Sequence, residues 1–209
     1  MRYEVVAVGR VKDAALRAAC DEYLGRLRRY ARVEERRALL ALVRRTLEAE
    51  LLGGAPEPQP DLPGLRARRG AFVTLRRGVE LRGCIGHVPA DRPLAEVVTR
   101  MAVSAATADP RFPPVAPEEL SELCIEISVL SEPVRVDPPD AARVRPGRDG
   151  VIVRRSGRQG LLLPQVAAEF DWGPEALLAA ACRKAGLAAD AWREAESELY
   201  VFQADIFGE

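Results

Sequence analysis

Proline divides this chain before any other feature does. Four of the ten residues from Ala55 to Gly64 are proline, as are four of the nine from Asp109 to Pro117. A ring that fixes φ and removes an N–H keeps such segments out of helix interiors and central strands. The ordered elements must therefore lie between these breaks. A third stretch, Pro133 to Gly150, is rich in Pro, Asp and Arg and reads as a surface excursion.

Hydrophobic spacing assigns the elements between the breaks. Tyr3 to Val8 is a valine-rich run expected to be a strand, followed by a turn at Gly9. From Asp13, Leu16, Cys20, Tyr23, Leu24 and Leu27 recur at helical spacing. A second helix is predicted over Arg37 to Leu52, with Leu39, Val43, Leu47 and Leu51 four apart and Gly53-Gly54 as its stop. Ala71 to Leu75 and Val79 to Ile85 are spaced as a hairpin about Arg76, Arg77 and Gly78. Pro93 opens a helix whose apolar face is Leu94, Val97, Val98, Met101, Ala105 and Ala108. Leu123, Ile125, Ile127 and Val129 alternate with Cys124, Glu126 and Ser128, the period of a strand with one buried face, so Glu126 faces away from the stripe. A hairpin about Arg155 to Gln159, helices over Pro164 to Phe170 and Pro174 to Gly186, and one terminal strand over Glu198 to Phe207 complete the set. Helices set between hairpins, without regular strand-helix-strand alternation, predict an α+β fold with a mainly antiparallel sheet and flanking helices.

Composition narrows the function classes. The 209 residues balance 31 basic against 31 acidic side chains, with 48% hydrophobic residues. That is enough apolar mass for a core, and the neutral sum argues against a chain whose main task is coating nucleic acid or an anionic membrane. The basic residues are arginine except at Lys12 and Lys184. We read this skew as codon usage and give it no functional weight. The lone histidine, His87, excludes any site needing two imidazoles from one chain. Cys20, Cys84, Cys124 and Cys182 form no C-x-x-C pair, and isolated thiols suit a reducing compartment. With no signal pattern at Met1 to Arg10 and no long apolar run, a soluble, cytoplasmic protein without a metal or cofactor is expected.

Two strings carry the candidate chemistry. In Leu81-Arg82-Gly83-Cys84-Ile85-Gly86-His87, two glycines flank a cysteine at a strand end. They would let a ligand approach main chain and thiol closely, with Cys84 activated by Arg82 or His87. Equally, the string describes a bulged strand end around an inert core cysteine. If Ile85 points inward, Cys84 and Gly86 share the opposite face, and His87 does not automatically meet Cys84. The second string, Asp109-Pro110-Arg111-Phe112-Pro113-Pro114, sets a carboxylate, a guanidinium and a ring in a proline-stiffened loop. It is built either to grip an anion or simply to end a helix with Arg111 paired to Asp109.

With these strings, the region from about Arg37 to Glu209 resembles the AMMECR domain family, known in bacteria as AmmeMemoRadiSam system protein A. Ile125-Glu126-Ile127-Ser128-Val129-Leu130-Ser131, Gly160-Leu161-Leu162-Leu163-Pro164-Gln165-Val166 and Cys182-Arg183-Lys184-Ala185-Gly186-Leu187 extend the match. The resemblance implies two unequal lobes with the Arg82 to Gly86 motif lining a cleft between them. It also implies genomic company with a radical-SAM protein and a Memo-like protein, but no settled activity. Many members carry a small hydroxyl residue where this chain has His87. Residues 1–36 resemble instead the opening strand and helix of RlmH-type SPOUT rRNA pseudouridine methyltransferases, and nothing after Arg36 resembles their SAM-binding part. We expect no methyltransferase activity, and two units: an extension over 1–36 carrying net charge plus three, and an AMMECR domain over 37–209 carrying minus three.

Three functions are consistent with these residues. The favoured one is a ligand- or partner-binding component using the cleft, with Arg82, Gly83, Ile85, Gly86, Asp109, Arg111, Phe112 and Glu126 around a small anionic ligand; it suits motifs rich in Gly, Pro and Arg but poor in acid-base pairs. The second is a thiol-dependent enzyme with Cys84 as nucleophile or redox thiol. Here Arg82 and Arg111 would hold an anionic substrate, and Glu126 or Asp109 would carry or orient a proton. The third, weaker reading is RNA association through Arg26, Arg28, Arg29 and Arg32 with Tyr23 and Tyr30.

Overall fold

One helix of 39 residues, α1 (Ala14–Leu52), takes the place of the two separate helices expected before Leu52. Its sequence holds no proline and one glycine, Gly25, and a single glycine weakens a helix without ending it. The structure, a computed structural model, describes residues 14–55 and 61–209, and only the backbone of residues 14–21 and 23–30. The strand expected at Tyr3 to Val8 and the centre of the first proline-rich segment lie outside the described residues. Past Gly53, the short α2 (Pro63–Arg66) is held to α1 where the Gly64 N–H donates to Glu35 Oε1 at 2.9 Å.

The first sheet joins β1 (Ala71–Arg77), β2 (Glu80–His87), β3 (Leu123–Leu130) and β8 (Ala204–Gly208), antiparallel throughout, in the order β2-β1-β3-β8. Alternation decides its faces. Val73, Leu75, Ile125 and Ile127 are fully buried against Leu39, Val43 and Leu47 of α1 and Val97, Val98 and Ala102 of α3 (Leu94–Thr107). Each such aliphatic side chain contributes about 1.5 to 3 kcal/mol by leaving water. Ile85 packs on the same core, so Cys84 and Gly86 turn to the opposite face.

The second sheet joins β4 (Val134–Val136), β5 (Gly150–Arg155), β6 (Arg158–Leu162) and β7 (Glu198–Phe202) in the order β4-β7-β5-β6. Its inner face meets α5 (Pro174–Lys184) and Ala167 of α4 (Pro164–Glu169) around Leu177, Leu178, Cys182 and Trp192. The strand β4 lies inside the stretch expected to be a surface excursion; three residues between prolines are too few to show a period. The single terminal strand expected over Glu198 to Phe207 is two strands, β7 in the second sheet and β8 in the first. They part at Gln203, whose N–H donates to Ser131 Oγ at 2.9 Å and whose carbonyl accepts the Ser131 N–H at 2.8 Å.

Each sheet receives its helix on a glycine. A Cβ on Gly83 of β2 would lie 2.1 Å from the Ala105 carbonyl oxygen of α3, and one on Gly160 of β6 would lie 2.0 Å from that of Ala181 in α5. A third apolar cluster joins the sheets, with Leu130, Ile152, Leu161 and Phe202 buried and Phe72, Val88 and Leu163 packed on them.

Candidate functional site

The face of the first sheet turned away from α1 and α3 carries a polar row. Thr74 of β1 pairs in register with Cys84 on one side and Glu126 on the other, which sets three reactive side chains across three adjacent strands. The Thr74 hydroxyl donates to Cys84 Sγ at 3.2 Å. Thr74 is buried, while Cys84 and Glu126 are half-buried. The Glu126 carboxylate has no hydrogen-bond or ion-pair partner among the described residues, and Gly208, opposite it on β8, adds no side chain to cover it. The junction cluster closes one end of this face through Phe72 and Leu130.

The proline-stiffened loop caps the free edge of β2. Asp109, 4% exposed, accepts the Cys84 N–H on Oδ2 at 2.9 Å, while Arg111 donates to the Cys84 carbonyl at 3.1 Å. Together they stand in for the strand that an outer edge lacks. Asp109 also takes Arg111 Nε on Oδ1 at 2.9 Å and the terminal guanidinium nitrogen on Oδ2 at 2.7 Å. That contact with Arg111 outweighs burial and holds the Asp109 carboxyl well below the usual carboxylate range. Phe112 lies under the Arg111 guanidinium, 5.4 Å from it.

Arg82 is similarly committed. It meets Glu119 in two hydrogen bonds of 2.8 Å and donates to the carbonyls of Pro113 and Pro114 at 2.8 and 3.1 Å. The Arg82 contact, followed by the Ala116 N–H, lowers Glu119 to about 2, and Glu119 in turn raises Arg82. The glycines of the motif are filled from inside the protein: Gly83 by the α3 backbone, Gly86 by the Phe72 ring, 2.2 Å from where a Cβ would sit. His87 bonds Asp91 at 2.6 Å, and strand alternation points it away from the Cys84 face.

Sequence reading passed over Lys184. It ends α5 in the second lobe, and its side chain is exposed. Desolvation lowers its ammonium pKa, Cys84 opposes the shift and Arg111 adds to it. The available signal was its rarity: lysine where this chain otherwise uses arginine is a choice of a compact point charge over a planar fork.

Among the described residues, no group of three or more His, Cys, Asp or Glu could hold a metal ion, and no helix is long and apolar enough to cross a membrane. Two shallow depressions lie away from Cys84. One of about 310 Å³ is at the β5–β6 turn around Ser156 and Gly157, and one of about 280 Å³ is at the junction near Arg69 and Ser131. Neither contains the thiol, hydroxyl and carboxylate of the polar row. The side chains of Tyr23, Arg26, Arg28, Arg29 and Tyr30, considered for RNA, lie outside the described residues; Arg32 is exposed.

A family model described as AMMECR1 matches residues 40–207. A protein of Methanothermobacter thermautotrophicus is 45% identical over 184 residues, covering 84% of this chain and 95% of that protein. One from Methanopyrus kandleri is 44% identical over 185 residues, covering 85% and 89%. The crystal structure of uncharacterized protein PH0010 from Pyrococcus horikoshii matches with a TM-score of 0.77 at 41% identity, over 82% of this chain and 89% of that one.

Proposed function

We propose, since this chain belongs to the AMMECR1 family, that it is a cytoplasmic binding component whose polar row around Cys84 receives a small ligand between the two lobes. The radical-SAM and Memo-like proteins implied by the family resemblance are its proposed partners and carry out the chemistry. The observation that carries this reading is the set of commitments at the motif. Arg82 and Asp109 spend their hydrogen-bonding capacity on the protein itself, whereas Glu126 makes no hydrogen bond or ion pair among the described residues and shares one face with the half-buried Cys84, whose sulfur accepts the Thr74 hydroxyl. A scaffold so tightly tied around a thiol, hydroxyl and carboxylate preorganises a binding surface.

Native mass spectrometry of the full chain, after incubation with a protein-free small-molecule extract, tests this. A bound mass is expected that disappears once Cys84 has been alkylated with iodoacetamide. No bound mass, or one indifferent to that alkylation, overturns the reading.

The 3.2 Å contact between the Thr74 hydroxyl and Cys84 Sγ favours a second reading, a thiol-dependent enzyme. The hydroxyl orients the sulfur on this face, and Glu126 lies in the same row to carry or orient a proton. This reading requires Cys84 to react with iodoacetamide faster than the exposed Cys124, and equal or slower reaction removes it.

A further inference from the structure

We infer that the ligand of this face carries a protonated primary amine, and that Glu126 and the Ser128 hydroxyl, neighbours on β3, are the pair that receives it. The inference rests on the proposal that the face around Cys84 binds a ligand, and it names the ligand's charge and the end of the row that selects it.

Charge accounting sets the sign. The arginines of the two strings look made for an anion, but Arg82 is matched by Glu119 at 2.8 Å and Arg111 by the buried Asp109 carboxylate at 2.7 Å. Neither brings an unanswered charge to a ligand. Arg76, two residues beyond Thr74 on β1, is exposed at the hairpin end of the face, where it donates to the Val79 carbonyl at 3.4 Å; no ion pair joins it to Glu126. The half-buried charge left unanswered is Glu126, whose carboxylate has no partner among the described residues. A carboxylate only accepts, and one partly withdrawn from water gains most from a donor that is itself charged.

A second unspent group adjoins it. Ser128 follows Glu126 by two residues on β3, so alternation sets both on one face, about 7 Å apart along the strand. Ser128 is 1% exposed, its hydroxyl makes no hydrogen bond among the described residues, and the opening left to it is at the oxygen. Such a hydroxyl takes its partner from outside the protein. Phe72, opposite Ser128 on β1, leaves it open because its ring is drawn over Gly86, 2.2 Å from where a Cβ there would sit. On the other side Gly208 adds no side chain beside Glu126. An ammonium has three donors, enough for carboxylate and hydroxyl together. Cys84 lies two strand spacings from Glu126, about 10 Å, so the carbon chain of the ligand runs over Thr74 towards the sulfur.

Titration of the full chain, labelled with nitrogen-15, tests this through the backbone amide shifts of Thr74, Cys84, Glu126 and Ser128. The probes are n-pentylamine, protonated at neutral pH as a lysine side chain is, and its neutral and anionic counterparts, 1-pentanol and pentanoate. Pentylammonium should move these amides saturably with a Kd about tenfold below that of either counterpart, the effect of one charge contact at a partly solvated site. Glu126→Gln, which keeps the shape of the side chain, should abolish that preference. Ser128→Ala should weaken pentylammonium about threefold and leave trimethylpentylammonium, which has no N–H to donate, unchanged. Equal binding of pentanol, tighter binding of pentanoate, or a preference that survives Glu126→Gln overturns the inference while leaving the binding face standing. If none of the probes moves these amides, the face and the inference fall together.

Discussion

In the first lobe α3 comes down on β2 at Gly83, and in the second α5 comes down on β6 at Gly160, each time with a helix carbonyl in the space a side chain would need. The lobes share this joint and differ in what surrounds it. Around Gly83 the edge strand is locked by the Arg82–Glu119 and Asp109–Arg111 pairs. Beyond Gly160 the helix ends in Lys184, an ammonium without an ion pair among the described residues. One lobe thus holds its charged groups in a closed network, and the other ends its helix in an exposed charge. The same packing device serves as a frame on one side and an open helix end on the other.

Filling either glycine is the harshest way to break this comparison. Gly83→Ala and Gly160→Ala each push a methyl group into a backbone carbonyl and should destabilise by about 3 kcal/mol. Both tryptophans, Trp172 and Trp192, pack in the second lobe, so fluorescence reads that lobe while far-UV circular dichroism reads both. The apolar junction couples the sheets, and we expect the two signals to move together in both variants during urea unfolding. A fluorescence midpoint left unmoved in Gly83→Ala would show the lobes to be independent.

The next effect in size separates frame from helix end. Asp109→Asn removes the charge that Arg111 answers and should cost about 2 kcal/mol, less than for a fully buried pair because Arg111 is half exposed. Lys184→Met should leave the urea midpoint nearly unchanged.

Acid acts on the framed lobe more gradually. The folded pKa of Glu119, about 2, lies below its ordinary 4.5, so its pairing stabilises fully above about pH 4.5 and is lost as pH falls through 2. Asp109 is shifted in the same direction. Stability should therefore be flat near neutrality and fall below about pH 4.5, and Glu119→Gln should flatten that fall. The smallest expected effect is at the crossing between sheets, where Ser131→Ala leaves the Gln203 N–H without its acceptor and should cost about 1 kcal/mol in the same urea titration.

Local periodicity made much of this fold legible. The strands β1, β2, β3, β5 and β6 and the helices α3, α4 and α5 stand close to where apolar spacing predicts them. What escaped was set by partners distant in sequence. Nothing local in Val134 to Val136 announces a strand, because β7 supplies the pairing. Nothing at Gln203 announces a change of sheet, because Ser131 makes it. At the site, alternation correctly turned Cys84, Gly86 and Glu126 to one face. The tasks of the polar groups were not legible, since Arg82 and Arg111 look alike as anion grips until their partners at Glu119 and Asp109 are seen.

The crossing of β7 and β8 between sheets also imposes an order on assembly. The first sheet lacks only an outer strand until β8 is made, so β1, β2 and β3 can pair beneath α3 as soon as they leave the ribosome. The second sheet lacks an inner one: without β7, β4 has no neighbour and β5 has only β6. Vectorial synthesis thus completes the thiol-bearing frame early and leaves the lysine-bearing lobe open until residues 198–202 arrive.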